Sequence, residues 1–233
     1  TILEQKPRWN RIKLDNDGQE GWIDAKMLAP MTEEEYTSYS KAYASAAMVS
    51  FPMVFAVSEN NQQTIPLTAG TRLTNYQDGR FEILGVPFRI DASMVITQPI
   101  ELNEQNLLQT VRFFLNIPYL WGGKNAMGMD CSGFTQVVYA TQGINLLRNA
   151  REQMTQGELV PSLAEAQPGD LAFFDHADRD PKATNISHVG LLLSPTEIIH
   201  CSGCVHIDTI DEQGIHLPDG ELTHHLVQIK RYL

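Results

Sequence analysis

Polar and apolar residues change rhythm several times along the 233-residue chain. In residues 1–30, Ile12 and Leu14 alternate with Arg11 and Lys13, Asp15-Asn16-Asp17-Gly18 supplies a turn, and Gly21-Trp22-Ile23-Asp24 opens a second strand. Two strands bury no core of their own, so this segment reads as the end of a small, truncated β-barrel. Thr32 and Glu35 fit a helix capping box, and Tyr36, Tyr39, Tyr43 and Ala47 recur at helical spacing, which predicts a linker helix within 31–48 carrying one packing stripe. Residues 49–100 hold short strand-like runs at 54–57, 72–76 and 80–84, separated by polar or glycine turns such as Gln77-Asp78-Gly79, a pattern that suits a second small barrel. After Gln98-Pro99-Ile100 the period lengthens. Residues 106–115 form an amphipathic helix stopped by Asn116 and Pro118, a second helix runs from about Cys131 to Tyr139, and strands follow at 171–174, 188–193, 197–200 and 226–231. Helices first and strands after define an α+β domain over 101–233.

Charge and composition narrow the functional classes. Against 28 acidic residues stand 17 basic ones, a net charge of −11, so the cationic surface that a nucleic acid requires is missing. The most apolar stretch, residues 46–57, is broken by Ser50 and Pro52 and is too short for a membrane span. The first residues, T-I-L-E-Q-K-P, lack the charged-then-apolar pattern of a secretion leader, so a leader has been removed or never existed. Three cysteines, Cys131, Cys201 and Cys204, are too few for a disulfide framework, and an odd number leaves at least one free thiol.

Cys131 is the thiol that the sequence places best. Tyr119-Leu120-Trp121-Gly122-Gly123 and Asp130-Cys131-Ser132-Gly133-Phe134 put turn residues and glycines ahead of a helix that opens at the cysteine. Unpaired N–H groups and the positive end of the helix dipole favour a thiolate there and can hold an oxyanion. A buried, inert cysteine is the bland alternative. Two histidines supply a base. If 186–193 and 197–200 form a hairpin centred on Ser194, His188 and His200 stand directly opposite each other, six residues from that centre on either side. Nucleophile, base and a third group that orients the base then exist together.

The ordered series Y-L-W-G-G, D-C-S-G-F, Gln167-Pro168-Gly169-Asp170-Leu171, S-H-V-G-L and I-I-H resembles the NlpC/p60 family of bacterial cell-wall cysteine peptidases over about residues 103–233. The resemblance implies a papain-like catalytic domain with Cys131 as nucleophile, His188 as base and His200 orienting it. It also implies that Tyr119 aids the oxyanion and that Asp130, Ser132, Trp121, Arg148 and Ser187 line the substrate groove. SH3-like barrels ahead of such a domain resemble the γ-D-glutamyl-L-diamino acid endopeptidases (dipeptidyl-peptidase VI), whose substrates are murein peptides or peptidoglycan stem peptides with a free N-terminal L-alanine. An amine in the groove would want a carboxylate, and Asp130 is the candidate. Ala150 departs from the pattern, which would carry a small hydroxyl residue. No metal or organic cofactor is implied, and the bacterial envelope, periplasm and cytoplasm all stay open as compartments.

Other readings remain. His200-Cys201-Ser202-Gly203-Cys204 with His206 nearby offers soft metal ligands, but a structural zinc site needs four ligands and no second cysteine pair exists. His224 and His225 read as solvated, and the charged segment 175–180, which could border the groove, reads as a surface loop. The same chain could also serve as a catalytically inert peptidoglycan-binding module, or as a general wall endopeptidase or acyltransferase using the same triad.

Overall fold

The computed structural model describes residues 1–100, 104–176 and 185–232; most of the charged segment expected at the groove edge lies outside them. The chain begins with a three-stranded antiparallel sheet of β1 (Ile2–Gln5), β2 (Trp9–Lys13) and β3 (Glu20–Asp24). The expected hairpin pairs Trp9 with Asp24 through Lys13 with Glu20, and Gly18 takes the left-handed conformation that the turn demands (φ +73°). β1 is invisible in the sequence pattern because all four of its residues are exposed, so no alternation marks it.

Helix α1 (Glu33–Ala44) opens with both arms of the capping box: the Glu35 N–H donates to Thr32 Oγ1 at 3.2 Å, and the Thr32 N–H donates to Glu35 Oε2 at 2.8 Å. The tyrosine stripe is not a buried packing surface. Helix α1 buries none of its residues, the Tyr36 hydroxyl donates to Asp15 at 2.9 Å, and Ala47 lies beyond the helix as the first residue of β4 (Ala47–Val49). Six more short strands follow: β5 (Met53–Ser58), β6 (Thr64–Thr68), β7 (Arg72–Leu73), β8 (Arg80–Ile83), β9 (Val86–Arg89) and β10 (Val95–Ile96). Two sheets, ordered β10-β4-β7 and β6-β5-β9-β8, share a core that includes Val49, Val54, Ala56, Leu73, Phe81 and Phe88. The strand expected over 72–76 stops at Leu73, and Asn75 turns the backbone with φ +55°.

The remaining residues build α2 (Glu104–Arg112), the short pair β11 (Lys124–Asn125) and β12 (Gly128–Met129), α3 (Cys131–Thr141), α4 (Ala150–Gln153) and seven strands. These are β13 (Glu158–Val160), β14 (Leu171–His176), β15 (His188–Ser194), β16 (Glu197–Ser202), β17 (Cys204–Ile210), β18 (Gly214–His216) and β19 (Leu222–Arg231). Their order is β13-β19-β14-β15-β16-β17-β18, and β18 also pairs with β19. Strands β14 to β19 therefore close into a six-stranded antiparallel barrel with β13 added at its side.

Alternation along these strands feeds two separate cores. Leu171, Phe173, Val189, Leu191 and Ile199 pack outward with Leu107, Val111, Phe134 and Val138 of α2 and α3. Ala172, Phe174, Leu192, Ile198, Ile215 and Ile229 fill the barrel. Strands buried on both faces read as continuous apolar runs, the signature seen at 171–174 and 189–193. Truncating a fully buried ring such as Phe173 to alanine would cost about 3–5 kcal/mol. No helix among the described residues is long and apolar enough to cross a membrane.

Candidate active site

Two glycines explain why the loop before α3 can reach the helix. A side chain on Gly133 would come within 2.2 Å of the Gly123 carbonyl oxygen, so Y-L-W-G-G and D-C-S-G-F meet backbone to backbone. This contact seats Cys131 as the first residue of α3, with Asp130 as N-cap accepting the Gly133 N–H at 2.7 Å. Gln153, fully buried on α4, braces the same turn by donating to the Ser132 and Leu147 carbonyls, both at 3.0 Å.

Cys131 is buried, with the backbone N–H groups of Ser132 and of Val189, the residue following His188, close enough to favour a charge on its sulfur. Burial first and the Asp130 carboxylate second push the thiol up to about 11, against the backbone N–H groups and Arg148, which act the other way. The helix terminus expected to favour a thiolate is present, and desolvation and a neighbouring anion act against it.

His188 and His200 meet, although not as directly opposed residues. The β15–β16 hairpin turns at Pro195-Thr196 and carries a bulge between Leu192 and Ser194, so Gly190 faces His200 and His188 lies diagonally across. The two imidazoles still touch, His188 Nε2 to His200 Nδ1 at 2.8 Å, because residues two apart share a face and Gly190 leaves room between them. A Cβ on Gly190 would sit 2.9 Å from the His200 Cβ and 2.6 Å from Ile198 Cδ1.

The chain of rings continues to Asp208, whose role the sequence reading missed. His200 Nε2 lies 3.1 Å from Asp208 Oδ2, and this contact fixes the proton positions. Burial lowers the His200 pKa, while the Asp208 carboxylate is held below its ordinary range chiefly by its hydrogen bond with His200. A neutral His200 thus donates Nε2–H to Asp208 and accepts at Nδ1 from His188 Nε2–H, which leaves the lone pair of His188 on Nδ1. His224 is not solvated as expected. Its ring is buried, with its centroid 4.4 Å from that of His188, because it points into the barrel with Phe174 rather than out of it.

Cys131, His188 and His224 line a cleft of about 1010 Å³ together with Tyr119, Ser187 and the Asp130–Arg148 pair. Arg148 grips Asp130 with two bonds, 2.6 and 3.0 Å, and donates to Ser132 Oγ at 2.9 Å. Asp130 also accepts the Gly122 N–H at 2.9 Å, so its carboxylate is already committed on every side. Burial, with Cys131 and Asp130 next, raises Tyr119 to about 12, so at neutral pH its hydroxyl remains a donor. Trp121 is 84% exposed at the rim, Ala150 is buried at the wall, and the Ser187 hydroxyl has no hydrogen-bond partner among the described residues. The far wall comes from the first sheet: Leu14, Asp17 and Gln19 of the β2–β3 turn enter the same cleft, with Asp17 held 3.7 Å from Lys124.

The alternative set aside in the sequence, Cys201 and Cys204 as metal ligands beside His200, also runs against strand alternation. Cys201 points to the opposite face of β16 and donates to the Met129 carbonyl at 3.2 Å.

Comparison with known proteins matches this architecture. The family model described as "NlpC/P60 family" covers residues 116–222. The chain is 36% identical over 224 residues to a gamma-D-glutamyl-L-lysine dipeptidyl-peptidase of Bacillus cereus, spanning 86% of this chain and 63% of that protein. It is 31% identical over 191 residues to the protein of that name from Bacillus subtilis, spanning 80% and 61%. The chain thus spans about three-fifths of the length of these relatives. Its fold also superimposes on the crystal structure of an NlpC/P60 family protein from Bacillus cereus with a TM-score of 0.81 and 21% identity, over all of this chain and 79% of that one. The helix-borne Cys131 and the strands that carry His188 and His200 thus lie within an NlpC/P60 family domain, the domain of a family of cysteine peptidases.

Proposed function

We propose that this protein is a cysteine endopeptidase that hydrolyses the bond between the γ-carboxyl of D-glutamate and an L-diamino acid in murein peptides bearing a free N-terminal L-alanine. The observation that carries the reading is the cleft itself: Cys131 at the start of α3 and the His188–His200–Asp208 chain line or adjoin one cavity, and the β2–β3 turn walls it.

In this reading the resting nucleophile is the neutral thiol. As the sulfur attacks the γ-carbonyl carbon, the thiol proton passes to His188 Nδ1, and the imidazolium is steadied through His200 by the Asp208 carboxylate. The Tyr119 hydroxyl and the Cys131 N–H hold the oxyanion. Collapse expels the diamino acid amine with the proton from His188, and water then resolves the thioester. Arg148 and Ser132 present donors for a substrate carboxylate, and the unpartnered Ser187 hydroxyl offers one more polar contact. Asp130, saturated by Arg148, is a weak sole partner for the substrate amine; Asp17 of the β2–β3 turn is the second carboxylate facing the cleft. In this reading the preceding β modules are SH3-like barrels, the catalytic domain is papain-like, and the first sheet limits the length of peptide that fits.

Support also comes from the two Bacillus relatives named gamma-D-glutamyl-L-lysine dipeptidyl-peptidase. The test uses L-Ala-γ-D-Glu-L-Lys and its N-acetylated form. The native protein should release the diamino acid from the first, Cys131→Ala should release none, and acetylation should abolish cleavage. Equal cleavage of both peptides would replace this reading with a general wall endopeptidase.

A further inference from the structure

Beside the catalytic cleft, on β17, stands an imidazole that the proposed reaction does not use. His206 Nδ1 can only be a donor to the Cys204 carbonyl, 2.8 Å away, because a carbonyl oxygen only accepts. Its Nε2 then points at Asp208 Oδ2 at 3.1 Å, the same oxygen that His200 Nε2 approaches at 3.1 Å from the other side. A neutral His206 with its proton on Nδ1 would set a lone pair against a carboxylate oxygen, so this contact is attractive either with a second proton on Nε2 or with a metal cation held between the two atoms. One ligand atom each from His200, His206 and Asp208 lie within 4.8 Å of one another.

We infer that His200, His206 and Asp208 form a binding site for a first-row divalent cation of the zinc type, and that filling it switches the peptidase off. Tetrahedral zinc with bonds of about 2.0–2.1 Å places its ligand atoms roughly 3.3 Å apart, close to both 3.1 Å contacts. Two imidazoles and one carboxylate are a donor set that suits such a cation, with the fourth position left to water. Both rings are already oriented through their other nitrogen, His206 by the Cys204 carbonyl and His200 by His188, the arrangement that supports metal-bound histidine. The His206 side chain is 32% exposed and gives the ion a path in.

The inhibitory consequence follows from the tautomers and rests on the proposed role of His188; the site itself does not. A metal on His200 Nε2 moves that ring's proton to Nδ1. His188 Nε2 must then accept rather than donate, so His188 carries its own proton on Nδ1. Within the His188–His200 pair no proton is gained or lost, but the lone pair that would take the thiol proton is gone.

Calorimetric titration of the Cys131→Ala protein with Zn²⁺ should show one site, weakened at least about 10-fold by adding His206→Ala. Equal affinity in both proteins, or no binding to either, overturns the site. A Co²⁺ spectrum of the Cys131→Ala protein decides the matter even if the double variant does not fold: ligand-field bands alone support the site, and a thiolate charge-transfer band assigns the metal to Cys201 or Cys204 and overturns it. With Cys131 intact, His206→Ala should keep its activity on the uncapped peptide and need at least about 10-fold more Zn²⁺ for half-inhibition. Unchanged sensitivity refutes the inhibitory mechanism. A native protein inactive on that peptide would count against the proposed function, while calorimetry still decides the metal site.

Discussion

The protonation of Cys131 is the property on which the geometry departs furthest from what a helix-terminal cysteine suggests. Its thiol stands near 11, about two pH units above its ordinary value near 9. At any pH below both, the thiolate population is therefore about 100-fold smaller than for an unperturbed cysteine, a difference of about 3 kcal/mol. Higher basicity also makes each thiolate more reactive. With a Brønsted slope of about 0.4–0.5, the gain is roughly 6–10-fold, so reaction with a small disulfide reagent should run at least about 10-fold slower than with free cysteine at the same pH. Burial slows it further, so the shape of the profile is the decisive quantity. In a Cys204→Ser background, the rate should climb about 10-fold per pH unit through pH 9 and level off near 11. The same displacement acts on stability. A pKa raised by folding contributes stability that is fully present below the unfolded value and is lost as pH rises from about 9 through about 11, so Cys131→Ala should remove about 3 kcal/mol of the alkaline loss in urea titrations. A reaction rate that plateaus near or below pH 7 would show an ionised sulfur at rest and refute the coupled transfer of its proton to His188.

Four further outcomes follow from contacts in the same region. Asp208→Ala removes a charge-assisted hydrogen bond worth about 1.5–3 kcal/mol and should lower kcat/KM by roughly 10–150-fold, read from peptide hydrolysis with the fold checked by circular dichroism. Gly190→Ala forces its new methyl against Ile198 and the His200 Cβ, so thermal unfolding should report a loss of about 1–3 kcal/mol, with an activity loss larger than stability explains. Arg148→Met strands the buried Asp130; because Gly122 and Gly133 still donate to that carboxylate, the cost should be about 3 kcal/mol by urea titration. His224→Ala opens space beside His188 and should reduce kcat more than KM, whereas a solvated histidine would leave both unchanged.

Much of the catalytic half was legible because its residues sit where period and turn chemistry speak plainly. The strands near 171–174 and 188–193 are continuous apolar runs because each packs on two cores, and the helix at Cys131 is announced by Asp130 and the glycines that let two loops touch. The histidine pair was found on the right face with the wrong register. Alternation fixes the face, but a proline turn and a bulge displaced the pairing by two residues, and that error leaves the face unchanged. Asp208 was missed for want of one further step: His200 and His206 are each three residues from Gly203, so a hairpin there puts them opposite each other, and Asp208 follows on the same face. The protonation of Cys131 was beyond reach. A helix terminus is visible in sequence, whereas the desolvation that opposes it exists only once the domain has packed around the sulfur.

The closed barrel explains how a histidine chain can persist at a buried site. Its interior is apolar through Phe174, Leu192, Ile198 and Ile215, and at the end where β15 begins the same inward positions change to His188, His200 and His224. Imidazoles so placed are removed from water and would be costly if left unpaired. They are paired instead in sequence, His188 to His200 and His200 to Asp208, with His206 and the Cys204 carbonyl completing the outer side. The tautomer of His200 is therefore set by Asp208 and that of His188 by His200, so the Asp208 carboxylate governs the innermost base. That dependence makes the exposed edge of β17 a control point for chemistry at a sulfur carried by a different element, and it requires that substitutions at Asp208 act on the rate without touching substrate.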